Sequence, residues 1–238
     1  AEELVRPCLP SKRQWGYRNK LELGAARDGH GRFLLGFYRE GTHDIATPPS
    51  CPLAHDAIAK APKALRGAIG FAEGSQDLGI YRIGVRHSLR TRELEVALWT
   101  KPGPFPRAHV AKTVASALRA TSVVRVLADP GKVRKIKGVE TLEGRGRWGE
   151  ELLGSRFETT APSFFQVNTA QAERLVEEVV AGLGGSVGDD GPEGLDGLFV
   201  ADLYAGGGTF SVPLAQAGAD VIAIEAAGTS VRDLRRNA

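Results

Sequence analysis

Over the first 150 positions the apolar residues fall mainly in strand-length runs separated by turn formers. Phe33-Leu34-Leu35-Gly36-Phe37-Tyr38 is aromatic-rich and is followed by the turn-prone Arg39-Glu40-Gly41-Thr42. Leu78 to Val85 and Leu94 to Trp99 read as paired strands, joined by the polar stretch from His87 to Glu93. Pro106 opens a helical pattern in which Val110, Val114, Ala117 and Leu118 recur at three- and four-residue steps. Val123 to Leu127 returns to a β-branched run. Strands, one helix, then strands predict an α+β module.

Further along, the pattern changes. Asn168 or Thr169 can cap a helix running to about Leu183, with Leu175, Val176, Val179 and Val180 on its apolar face. The glycine- and aspartate-rich stretch from Gly184 to Gly197 reads as a flexible surface loop. Leu198 to Leu203 is almost wholly apolar, as expected of a strand buried on both faces of a parallel sheet. A helix from about Thr209 to Ala217 and a second buried strand, Val221 to Ile224, lead to Glu225. Strand, glycine turn, helix and strand form a βαβ unit with a right-handed crossover. The expected fold class is α/β, with an α+β central domain over residues 1–155. Residues 156–238 would be the first βαβ part of a Rossmann-like domain.

Charge sharpens that division. The net charge of the chain is only +3, yet residues 1–150 carry 26 basic and 15 acidic side chains, and residues 151–238 carry 5 and 13. A basic part followed by an acidic part argues for two domains with different partners. Hydrophobic content of 42% with 25% charged residues excludes disorder as the whole answer. No stretch approaches the roughly 20 apolar residues needed to cross a bilayer, so no membrane partner is expected. Cys8 and Cys51 alone make no disulfide scaffold, and a reducing cytoplasm is the expected compartment. The five histidines show no metal-ligand spacing, and the chain contains no methionine.

Candidate chemistry concentrates in Asp202-Leu203-Tyr204-Ala205-Gly206-Gly207-Gly208-Thr209-Phe210, with Glu225 closing the next strand. Glycines at a strand-to-helix turn let the backbone approach a ligand closely. A carboxylate ending the second strand can accept hydrogen bonds from ribose hydroxyls, so an adenosine cofactor is the first expectation. A dinucleotide turn should read G-x-G-x-x-G, but Ser211 takes the third glycine's place. Asp202 would also repel a pyrophosphate, whereas the sulfonium and ammonium of S-adenosylmethionine would be attracted. Both cofactors remain open on the residues alone, with the methyl donor favoured by charge. A ligand-free glycine turn is the plain alternative.

The stretch from Asp202 to Ala215 closely resembles the first methyltransferase motif of RNA 5-methyluridine methyltransferases, Asp-Leu-Phe/Tyr-Cys-Gly-x-Gly-x-Phe-x-x-x-Leu-Ala. Ala161-Pro162-Ser163-Phe164-Phe165-Gln166-Val167-Asn168 is similar to that family's signature ahead of the helix. Tyr17-Arg18-Asn19-Lys20, Leu35-Gly36-Phe37-Tyr38-Arg39 and Cys51-Pro52-Leu53 follow in the family's order. The resemblance implies S-adenosylmethionine as cofactor and C5 of a uridine in rRNA or tRNA as target. It places Gln166 at the cofactor and target-uracil site and Phe164 against the flipped nucleotide. Tyr204, Thr209 and Glu225 would line the cofactor pocket, with Gly206 and Gly208 in its turn. On their own, Phe164 and Phe165 read equally well as core residues.

The departures shape the expectation. Ala205 stands where the family commonly has Cys. Uracil C5 becomes nucleophilic only after a thiolate adds to C6, and a base must then remove the C5 proton. In the family both groups lie well after the second strand, so the nucleophilic Cys and the base are expected downstream of Ala238. None is expected within this chain, which reads as a fragment without turnover of its own. Some family members hold a four-cysteine iron–sulfur cluster whose last ligand has a Cys-Pro-Leu context like Cys51. Two cysteines so far apart hold no cluster, and Cys51 reads more simply as a small buried residue.

The basic part suits a phosphate backbone. Lys12, Arg13, Arg18 and Lys20 surround Trp15 and Tyr17, an interleaving suited to single-stranded or looped RNA. Lys132, Arg134, Lys135 and Lys137 alternate in a strand-like run, with Arg145 and Arg147 beyond. Arg18 and Lys20 are the expected RNA contacts, in a monomer. The rival readings are an NAD-dependent oxidoreductase, a non-catalytic RNA-binding module, and a methyltransferase acting on another base or on protein.

Overall fold

The computed structural model describes Val5 and residues 7–74, 76–131 and 135–238. Its first part is built on a seven-stranded sheet of β1 (Lys20–Arg27), β2 (Phe33–Tyr38), β3 (Ile45–Ala46), β4 (Ile80–His87), β5 (Leu94–Thr100), β6 (Ser122–Ala128) and β7 (Ile136–Gly144). Their order is β3-β2-β1-β4-β5-β6-β7. Neighbours are antiparallel except β5 and β6, whose parallel pairing is bridged by helix α3 (Arg107–Leu118). A parallel pair requires such a crossover.

Helices α1 (Asp56–Ala59) and α2 (Ala61–Glu73) precede β4, and α2 packs against α3 and β2. The predicted single helix of this part is α3; α2 is an addition. Ala61, Leu65 and Ile69 recur every four residues and are fully buried, with Pro62 in the first turn where its missing N–H costs nothing. Two glycines inside α2 obscure this pattern in the sequence. The main core joins Leu23, Leu35, Ile83, Val96 and Leu98 of the sheet to Leu65, Ile69, Val110 and Val114 of the helices.

A hairpin of β8 (Trp148–Leu152) and β9 (Ser155–Thr159) follows, then α4 (Thr169–Gly182). Asn168 caps α4, its side chain accepting a hydrogen bond from the Gln171 amide at 3.2 Å. Val176 and Val180 are buried, Val179 half-buried, and Leu175 48% exposed, so the apolar stripe is narrower than the sequence suggests. The stretch after α4 is not a structureless loop. β10 (Ser186–Gly188) and β11 (Gly191–Glu193) pair as a tight hairpin, turned at Asp189-Asp190.

The βαβ unit forms as expected: β12 (Phe199–Leu203), α5 (Ser211–Gln216) and β13 (Asp220–Ile224), the strands parallel and in register from Phe199↔Asp220 to Leu203↔Ile224. Helix α6 (Gly228–Asn237) closes the described chain. Burial on both faces is not observed. Val200 and Val221 pack toward α4 and α5, while Phe199, Leu203, Ile222 and Ile224 are each more than half exposed. The physical reason is that the two strands pair only with each other among the described residues, and helices cover one face.

Candidate functional site

The glycine turn is shaped by backbone conformations that few residues adopt. Beyond β12, Tyr204 has φ 63°, Gly206 φ 59° and Gly208 φ 94°. At Gly208 a Cβ would sit 2.8 Å from Leu234 Cδ1 of α6 and 3.1 Å from Val212 Cγ2, so Leu234 would have to shift, and the positive φ strains any other residue there. Tyr204, a non-glycine residue in the left-handed region, costs about 1–3 kcal/mol there. Its side chain is 91% exposed, which presents an aromatic ring at the mouth of the turn.

Glu225 folds back onto this turn. Its Oε2 accepts from the Gly206 amide at 2.9 Å, and its Oε1 accepts from Ala226 and Ala227 at 2.7 and 2.6 Å. These backbone donors, Ala227 first, hold its carboxyl below the usual carboxylate range. An ionised carboxylate offers about four acceptor sites, so three backbone bonds leave capacity for a hydroxyl. Asp202 accepts from the Ser211 hydroxyl at 2.5 Å. The serine in the third glycine's place thus ties α5 to the end of β12. Thr209 lies half-buried just before α5.

The segment ahead of α4 is held by the first part of the chain. Asn19 Nδ2 donates to the Gln166 carbonyl at 2.9 Å and to Thr169 Oγ1 at 3.0 Å, and the Asn19 amide donates to the Val167 carbonyl at 2.8 Å. Phe165 is 3% exposed and stacks edge-on against Trp148, with Phe157 alongside. Phe164 is 64% exposed, and Gln166 is half-buried. The two phenylalanines are therefore divided, one anchoring the segment and the other free on the surface. Asn19 was legible only as part of a motif; its hydrogen bonds show that it, rather than the neighbouring cations, holds the Gln166 backbone.

The basic residues divide in the same way. Lys12, Arg13 and the 64%-exposed Trp15 are on the surface, beside a cavity of about 750 Å³ lined by Tyr17, Asn19, Glu150 and Asn168 among others. This cavity does not include the glycine turn. Arg18 is half-buried, its backbone paired with Leu53 and His55. Lys20 departs from the expected phosphate contact. Its side chain is 14% exposed and ion-paired with Glu22 at 2.5 Å, and burial, with Arg86 nearby, lowers its pKa to about 7. A lysine so desolvated is poorly placed to attract phosphate. Arg145 and Arg147 pair with Glu158, and Lys137 pairs with Asp129. Lys132 and Arg134 lie outside the described residues. Among the described residues no cluster of His, Cys, Asp and Glu suits a metal ion, and no helix is long and apolar enough to cross a membrane.

The turn, the paired strands and the preceding helix together form a βαβ-containing α/β fold. A tRNA (uracil-54, C5)-methyltransferase of Pyrococcus abyssi, solved with S-adenosyl-L-homocysteine, superposes with a TM-score of 0.72 over 96% of this chain and 54% of its own, at 24% identity. In sequence, an uncharacterized RNA methyltransferase of Thermosynechococcus vestitus is 34% identical over 98% of this chain and 51% of its own length. One of Gloeobacter violaceus is 31% identical over 100% and 52%. No family model matches. By sequence the chain is similar to these RNA methyltransferases, and it spans about half the length of the curated relatives it matches.

Proposed function

We propose that the protein is an S-adenosylmethionine-dependent methyltransferase that modifies C5 of a uridine in rRNA or tRNA. The observation that carries this reading is the glycine turn clasped by Glu225, with acceptor capacity left on its carboxylate and Asp202 behind it. Asp202 at the turn suits a cationic cofactor and opposes a pyrophosphate, while the Glu225 carboxylate can accept from ribose hydroxyls. The similarity to RNA methyltransferases and the fold shared with the P. abyssi enzyme support the same choice.

In this reading residues 156–238 hold the cofactor and residues 1–155 face the RNA. S-adenosylmethionine supplies an electrophilic methyl group. Glu225 accepts from its ribose hydroxyls, Gly206 and Gly208 let the backbone approach, and Tyr204 and Thr209 line its pocket. The exposed Phe164 ring stacks on the extruded uracil, whose polar edge the Gln166 amide reads by donating and accepting. Lys12, Arg13 and Arg18 meet phosphates, and Trp15 offers a stacking platform. Cys51 is buried in the main core and Cys8 is exposed on the N-terminal segment. On the family resemblance alone, the thiolate that adds to uracil C6 and the base are assigned to positions after the second strand, beyond Ala238. Residues 1–238 alone should then bind cofactor weakly and transfer no methyl group.

Titration calorimetry of the full protein with S-adenosylhomocysteine and, separately, with NAD tests the cofactor assignment. Heat with the first and none with the second is expected. The reverse would overturn the assignment in favour of an oxidoreductase, and heat with neither would favour a non-catalytic RNA-binding module.

A further inference from the structure

The proposed cofactor turn and base-presenting segment are separate in sequence, yet one helix touches both. On α6, Asn237 Nδ2 donates to the Gly207 carbonyl at 2.8 Å, and Asn237 Oδ1 accepts from the Glu158 amide of β9 at 2.8 Å. One turn earlier, Asp233 is fully buried, and its Oδ2 accepts from both the amide and the hydroxyl of Thr160, at 3.0 and 2.9 Å. From the opposite side, the buried Arg86 of β4 donates to the Thr160 carbonyl at 3.3 Å and to the Ser163 carbonyl. Thr160 to Ser163 forms a turn closed by the Ser163 amide on the Thr160 carbonyl at 3.0 Å, and Phe164 is the next residue.

We infer that Asn237 and Asp233, opposed by Arg86, are positioning residues that fix the Phe164–Gln166 segment relative to the cofactor turn. The inference rests on the function proposed above. Side-chain amides and carboxylates that satisfy buried backbone groups on two elements at once set the spacing between those elements. Losing one leaves a buried donor or acceptor without a partner. Asn237 and Asp233 bond to the Gly207 carbonyl, the Glu158 amide and Thr160. Their effect is on geometry, where a displacement near 1 Å costs on the order of 100-fold in rate. Gly207 and Gly208 complete the arrangement from the other side, since side chains of α6 lie directly against them.

The test compares Asn237→Ala with the unsubstituted full protein in two readouts. Hydrogen exchange at the Glu158 to Ser163 amides is followed with and without S-adenosylhomocysteine, and the single-turnover methylation rate is measured at saturating cofactor. In the unsubstituted protein the ligand should slow exchange across this turn. In Asn237→Ala that slowing should vanish and the rate fall about tenfold or more, while S-adenosylhomocysteine affinity changes less than about threefold. Thr160→Val, which removes the hydroxyl bonds to Asp233 and to Ser163 Oγ but keeps the amide bond to Asp233, should show the same split at smaller size. It carries the comparison if Asn237→Ala fails to fold. Ligand-induced slowing that survives in the variants, or rate and affinity falling together, would overturn the inference alone. Absence of any binding heat in the unsubstituted protein would overturn the functional reading beneath it, and the inference with it.

Discussion

The seven-stranded sheet and the β12–β13 pair use similar apolar strands to opposite effect. All seven residues of β5 are buried, because the strand is flanked by β4 and β6 and its sheet is covered on both faces. Helices α2 and α3 cover one face, and Ala161 packs with Ala97, Trp99 and Val126 on the other. In β12 exposure alternates residue by residue, because α4 and α5 cover one face while Phe199 and Leu203 face outward beside Ile222 and Ile224. An apolar run thus identifies a strand, while the number of its faces covered among residues 1–238 depends on which neighbours those residues include.

The sharpest way to break that comparison is substitution on the two kinds of surface. Phe165→Ala, inside the aromatic cluster with Trp148 and Phe157, should cost about 3–5 kcal/mol in denaturant unfolding. Phe164→Ala should change stability by no more than about 0.5 kcal/mol while lowering methylation. Equal losses of stability would erase the distinction between the two rings. In the sheets, Leu98→Ala should cost about 2–5 kcal/mol, and in residues 1–238 Leu203→Ala, on the face open there, about 0.5 kcal/mol or less. Gly208→Ala should weaken S-adenosylhomocysteine about tenfold or more by calorimetry, since the new methyl meets Leu234 at a positive φ.

A further expected effect is a pH dependence inside the closed sheet. Burial raises the Glu95 pKa to about 7, against the opposing pull of Arg86. Between the unfolded value of 4.5 and about 7, the folded protein therefore binds the proton that the unfolded chain has released. The contribution of Glu95 to stability is present below pH 4.5 and is lost as pH rises toward 7. Glu95→Gln should flatten that part of the stability profile, and an unchanged slope in thermal unfolding would show that Glu95 is ionised in the fold.

Much of this architecture was legible in the sequence where local signals agree. The Asn168 cap, the α3 periodicity, the glycine turn and its carboxylate all rest on short-range chemistry. What escaped depends on distant partners. Helix α2 was hidden by internal glycines that tertiary burial overrides. Lys20 looked like a phosphate ligand beside aromatics, but β1 carries it into the neighbourhood of Arg86 and Glu95. The side chains of Asn19, Asp233 and Asn237 act through backbone groups up to 147 residues away, and no spacing rule connects them.

Tritium release tests the central claim most directly. The full protein is given S-adenosylmethionine and RNA whose uridines carry tritium at C5. Methyl transfer to C5 must displace that hydrogen, so one tritium should appear in water for each methyl group incorporated, at a single uridine. Methyl incorporation without tritium release would place the reaction on another atom, and no incorporation into any RNA would contradict the account.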